Sequence, residues 1–248
     1  MSTQLSAANA ISLEKELIWF SSVLDTRIAL YFEHDTSESE GEKIFGSIEE
    51  IPLPDLSNDD SAYGSIVSDL DLEFDERILL ALTLVPHIRP DLLDLLFTRN
   101  KNFDRGFTQF GGWKGESHGG FIPTCETAAF IIAGNDLSKR FKLLSYFEGD
   151  GILIKNSILT LEHKSSGEPF MSAAVRISSE YLNRLTSGVY QKPDYNMNFP
   201  AKLITTKLTW DDLILPMEVQ EEIENIITWI KNSKIILEDW GLDKVIKP

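Results

Sequence analysis

PTCETAAFIIAGNDLSKRFKLLSYF, residues 123–147, is the stretch on which the fold turns. Pro123 and Thr124 open a helix, with Thr124 as its N-cap, and Gly134 stops it. Asn135 and Asp136 then cap a second helix, whose apolar residues Leu137, Phe141, Leu144 and Phe147 recur at helical spacing. Two helices joined by a tight Gly-Asn-Asp turn make a helix-turn-helix-like unit.

Downstream, GILIK (151–155), ILTLEHK (158–164) and AAVRIS (173–178) have the short, β-branched character of strands. Helices followed by a small antiparallel hairpin are the sequence pattern of a winged helix. SSEYLNRLTSG (178–188) reads as a further helix capped by Ser178 or Ser179 and stopped by Gly188. A linker at 190–200 leads to AKLITTKL (201–208), which alternates like a strand. Pro216 then starts a helix with Val219, Ile223, Ile226 or Ile227, and Ile230 on one face.

Upstream, Leu17, Leu24, Ile28 and Tyr31 predict a helix over about 12–32, with Ser12 as N-cap. DERILLALTLVPHI (75–88) is apolar nearly all round and predicts a buried helix ending near Pro86. Pro90 begins the next helical segment, RPDLLDLLFTRN. Between the two helical regions lies NFDRGFTQFGGWKGESHGG (102–120), rich in glycine and without a clear period, which reads as a long ordered loop. The fold class expected is α+β and mostly helical: a helical bundle with a winged-helix-like unit and a small antiparallel hairpin. Its divisions are 1–75, an N-terminal helix and acidic loop; 76–190, the winged-helix-like domain; and 191–248, a linker strand and C-terminal helices.

Charge is distributed unevenly. The 248 residues carry a net charge of −16, and residues 33–76 hold fifteen acids against one base, Lys43. The protein reads as a nearly neutral body with one acidic segment, most simply a solvated loop, otherwise a docking arm for a basic partner. One cysteine excludes an internal disulfide, no apolar run is long enough to span a bilayer, and the first residues lack a secretory signal. A cytoplasmic setting, with no membrane contact, is expected.

Catalytic motifs are sparse. G-x-x-x-x-G-K-[ST] is absent, and no strand leads into the glycine cluster around Lys114. The four histidines lack metal-ligand spacing, so no metal is expected. Cys125 lies one residue into its helix, where the dipole favours a thiolate, and His118 stands seven residues upstream. A lone cysteine on an apolar helix reads more simply as a small buried residue. No catalytic or cofactor-binding residue is therefore assigned.

Four stretches carry a family resemblance: LALTLVPHIRPDLLD (80–94), FGGWKGESHGGFIPTCETAAFIIAG (110–134), FPAKLITTKLTWDDLIL (199–215) and ITWIKNSKIILEDWGLDKVIKP (227–248). In that order the chain resembles the N-terminal region of the AAA+ ATPases encoded with extracellular contractile injection systems of the antifeeding-prophage and virulence-cassette type. The resemblance covers roughly the last two thirds of the sequence. It implies a variant winged helix followed by an AAA+ core, with ATP and Mg belonging to that core, in a homo-oligomeric full-length protein. The sequence ends about where that core is expected to begin, so ATP hydrolysis is not carried over.

The function expected is a non-catalytic recognition or regulatory domain, whose partners are the downstream AAA+ domain and a protein component of the injection particle. Candidate partner-binding residues are Phe110, Trp113, Lys114 and His118 in the glycine loop. The two aromatics either stand out as anchors or plug the loop onto the body. The alternative is a DNA-binding winged-helix module, which requires Lys139, Arg140 and Lys142 of the 136–147 helix to face a groove. Three bases are few for that task, and nucleic acid is not the expected partner.

Overall fold

The computed structural model describes residues 2–32, 45–56, 59–102, 104–115, 117–149, 151–165, 167–189 and 215–232. Two compact units are present, Met1–Pro193 and Asp194–Pro248. Most of the described chain is helical, with short antiparallel strand pairs, so the α+β, mostly helical expectation holds.

The first unit is built around α3 (Phe74–Ile88), in which every residue from Arg77 to Val85 is buried. Its apolar circumference requires neighbours on all sides, and α1 (Ser2–Tyr31), α4 (Cys125–Ala133) and the Pro90–Phe97 3₁₀ helix supply them. Pro86 does not end α3. It sits in the last turn, and only the hydrogen bond to Leu82 is forgone. α1 likewise begins ten residues before the predicted start. Ser12 is an interior residue, its hydroxyl donating to the Asp59 carboxylate at 2.5 Å with the Ala8 carbonyl also within reach at 3.1 Å.

The acidic segment is not simply a solvated loop. Residues 33–44 lie outside the described residues, but Ile48–Glu50 forms a 3₁₀ turn and α2 (Ala62–Asp69) follows. Ile48, Ile51, Tyr63, Ile66 and Val67 from this stretch join the same core as Leu17, Phe20 and Leu24 of α1. Apolar burial, not charge, fixes their position.

The glycine-rich stretch contains two minimal antiparallel ribbons. The pairs are β1 (Arg99–Asn100) with β2 (Arg105–Gly106), and β3 (Trp113–Lys114) with β4 (Phe121–Ile122). α4 and α5 (Leu137–Tyr146) then follow with the predicted caps. Thr124 and Thr127 form a reciprocal capping box, Gly134 ends α4 at φ +55°, and the Asp136 carboxylate accepts from the N–H groups of Ser138 and Lys139. A side chain at Gly134 would also meet Arg27 Nη1 at 2.6 Å. Arg27 caps the far end of α4 by donating to the carbonyls of Ile131 (2.8 Å) and Ile132 (3.1 Å), which ties α1 to it.

The predicted strand GILIK is instead a single helical turn, α6 (Ile152–Lys155). The other two strands are correct: β5 (Leu159–Glu162) pairs antiparallel with β6 (Ala174–Ile177), Leu159 opposite Ile177 and Glu162 opposite Ala174. The far edge of β6 is also occupied. Val175 N–H donates to the Pro123 carbonyl at 3.0 Å, and Cys125 N–H to the Ala173 carbonyl at 2.9 Å. The connectivity is thus helix α3, an extended segment at 121–124, helix α4, helix α5, then a hairpin whose second strand pairs back with that segment. α7 (Ser179–Thr186) closes the unit against α1, with Gly188 beyond its end at φ +72°. In the second unit, α8 (Met217–Lys231) starts after Pro216 as predicted, and Ile223 and Ile227 are its half-buried apolar positions. The predicted strand at 201–208 lies outside the described residues.

Candidate functional site

Phe110 is the anchor of the glycine loop, but an internal one. It is 1% exposed and packs edge-on or tilted against Tyr31, Phe107 and Phe130, with centroids 5.4, 5.0 and 4.6 Å away. That removes it from the candidate partner contacts: of the two readings of the loop aromatics, Phe110 follows the second, its ring plugging the loop onto α1 and α4. The cap of α4 holds the same loop from the other side. Thr127 Oγ1 donates to the Phe110 carbonyl at 2.8 Å, and Gly112 N–H donates to Thr124 Oγ1 at 3.1 Å.

With its base fixed in this way, the loop presents Trp113 to a groove of about 800 Å³. Phe107, Trp113 and Met171 give the groove apolar walls, and Glu126, Lys164 and Glu168 add charge. Lys164, from the β5–β6 connection, lies over the Trp113 ring with its ammonium 5.1 Å from the centroid. The hairpin connection therefore folds back toward the glycine loop. Lys114 is exposed next to Trp113. His118 is also exposed but lines a different, smaller cavity, so the four predicted site residues do not form one surface.

The groove rim continues into α5. Gln109 Nε2 donates to Asn135 Oδ1 at 3.0 Å, and Arg140 pairs with Glu126 at 2.6 Å. The outward side of α5 differs from the sequence expectation. Leu143 and Phe147 are buried, whereas Leu137 and Phe141, predicted to face the core, are 64% and 67% exposed. Each base of this helix is paired within the protein: Lys139 with Glu49, Arg140 with Glu126, and Lys142 with Asp75 at 3.6 Å. Two of these three carboxylates belong to the acidic segment. Burial alone would raise the Glu49 pKa, but hydrogen bonds from Lys139, Ser47 and its own backbone N–H bring it down to about 2. Sequence reasoning missed this arrangement because the partners lie 90 and 67 residues away along the chain.

Cys125 sits in the core as a protonated thiol. The side chain is fully buried, and desolvation pushes its pKa up to about 12, outweighing the helix N-terminus. Among the described residues, no group of three His, Cys, Asp or Glu side chains converges as a metal would require, and no helix is long and apolar enough to cross a membrane.

No protein-family model matches the chain, and no curated protein or solved structure matches it either.

Proposed function

We propose that this chain is a recognition domain, without catalytic chemistry of its own, that binds a protein partner for an AAA+ motor of a contractile injection system. The connectivity of helix, extended segment, two helices and a back-paired hairpin supports a variant winged helix. The observation that carries the reading is the outward side of α5. In a winged helix used on DNA, that helix must offer free positive charge to phosphates. Here Lys139, Arg140 and Lys142 are neutralised from within, and Leu137 and Phe141 stand exposed. Exposed apolar side chains on this helix and an aromatic-walled groove elsewhere on the unit suit a protein surface. The particle and motor assignments rest on the sequence resemblance, and the cytoplasmic setting follows from them.

Photo-crosslinking tests the proposal. A photoreactive residue is placed at Phe141 or Trp113, with one at exposed Glu148 as control, and the protein is mixed with each purified particle component. One component is expected to crosslink from the two site positions and not from the control. Crosslinking of none, together with salt-sensitive binding to mixed-sequence duplex DNA, would overturn it.

A further inference from the structure

His87, His118 and Arg176 come from three different parts of the first unit: the last turn of α3, the glycine loop and β6. They line one cavity of about 200 Å³, floored by Ile122, Pro123 and Val175. No carboxylate lines it among the described residues. The Nε of Arg176 bonds to Glu162 of β5, and its two Nη groups make no hydrogen bond among the described residues.

Arg176 is ion-paired through Nε with Glu162, which leaves its two Nη groups as donors. Protonated rings of His87 and His118 nearby are disfavoured beside that guanidinium unless a further anion joins them. His87 registers that repulsion. As a residue of a helix C-terminus, its protonated ring is favoured by the free carbonyls there. Its pKa nevertheless lies below the ordinary histidine value, through burial first and then through the charges of Arg176 and His118. The cavity is smaller than the usual 300–1,000 Å³ of sites for larger ligands. Its donors, imidazole N–H groups and a guanidinium fork, match oxygen anions.

We infer that the His87–His118–Arg176 cavity is a binding site for a small oxyanion of the phosphate or sulfate type. A bound anion bridges the Arg176 Nη groups and the two imidazoles and fastens the glycine loop to α3 and β6. This inference is independent of the partner reading, since the cavity is separate from the Trp113 groove and from the outward side of α5.

The test follows the imidazole NMR signals of the whole chain during titration with sulfate, whose charge is constant across the range, at fixed ionic strength. Saturable shifts are expected at His87 and His118 but not at His163, which packs against Phe170 instead. The apparent pKa of His87 is expected to rise by about one unit at saturation. Affinity should fall as pH rises from about 6 to about 8, as the His87 ring loses its proton. Arg176→Gln and His118→Gln should each abolish saturation, whereas Glu162→Gln, which frees the guanidinium, should preserve or tighten it. Phenyl phosphate binding as tightly as sulfate would support an oxyanion carried on a larger molecule, and exclusion of it would support the free ion. Linear shifts common to all histidines, or saturation that survives both Arg176→Gln and His118→Gln, would overturn the inference.

Discussion

Arg77 holds Glu16 by two parallel hydrogen bonds, Nε to Oε1 at 2.9 Å and Nη2 to Oε2 at 2.5 Å, in the interior of the first unit. The same guanidinium donates to the Pro54 carbonyl at 3.2 Å and lies 5.6 Å from the Trp19 ring centroid. α1, α3 and the chain leading to α2 are thus joined at one point. Burial drives the pKa of the neighbouring Tyr63 hydroxyl well above its ordinary value, so it is neutral there. Glu16→Leu or Arg77→Met alone leaves one buried charge without its partner and should cost about 3–5 kcal/mol in urea unfolding. The double variant should recover much of that loss. Equal losses in single and double variants would show that the pair contributes packing only.

Gly112 and Gly119 separate a required glycine from a permissive one. Gly112 has φ +81°, and a Cβ there would drive into the Phe121 ring of the paired strand. Gly119 has a negative φ and open space around it. Gly112→Ala should therefore cost about 1–2 kcal/mol for the backbone alone, and more through the ring. Gly119→Ala should be close to neutral. Thermal unfolding of the two variants side by side checks the contrast.

The Cys125 thiol should stay inert in the native protein. With its pKa near 12 and no exposure, it remains protonated at neutral pH and out of reach of an aromatic disulfide reagent. Labelling is expected only at the rate of unfolding, with full reaction in denaturant. Rapid labelling of the folded chain would contradict the buried, structural role.

Glu49 supplies a pH signature. Its folded pKa of about 2 lies below the ordinary 4.5. Its contribution to stability is present above the ordinary value and is lost as pH falls through the window from 4.5 to about 2. The stability difference between the native chain and Glu49→Gln should shrink across that window. Because both partners are about half exposed, added salt should reduce it as well.

Local chemistry was legible in the sequence where one or two residues decide the backbone. Thr124, Gly134 and Asp136 mark the ends of α4 and α5, because a cap is satisfied by its own neighbours. Three features were not legible. Of the apolar stripe Leu137, Phe141, Leu144 and Phe147, Phe147 is buried as its spacing implies, but Leu137 and Phe141 are exposed and Leu143, outside the stripe, is buried. GILIK has strand-like composition, yet Gly151 passes so close to the Tyr146 carbonyl that no side chain fits, and the chain turns into α6. In the acidic stretch, charge concealed Ile48 and Tyr63, whose burial needed the whole core to be assembled. The site was legible in part. Of the glycine-loop candidates, Trp113 lines a groove, Phe110 belongs to the core and His118 lines another cavity.

Direct binding of the chain to isolated particle components and to mixed-sequence duplex DNA, each followed as salt is raised, tests the central claim. The account predicts that one component binds with little salt dependence and that Phe141→Asp, a change at an exposed position, weakens it at least about tenfold, as expected for an apolar anchor. Duplex binding that falls steeply with salt, survives Phe141→Asp and disappears on replacing Lys139 and Lys142 by Gln would contradict it.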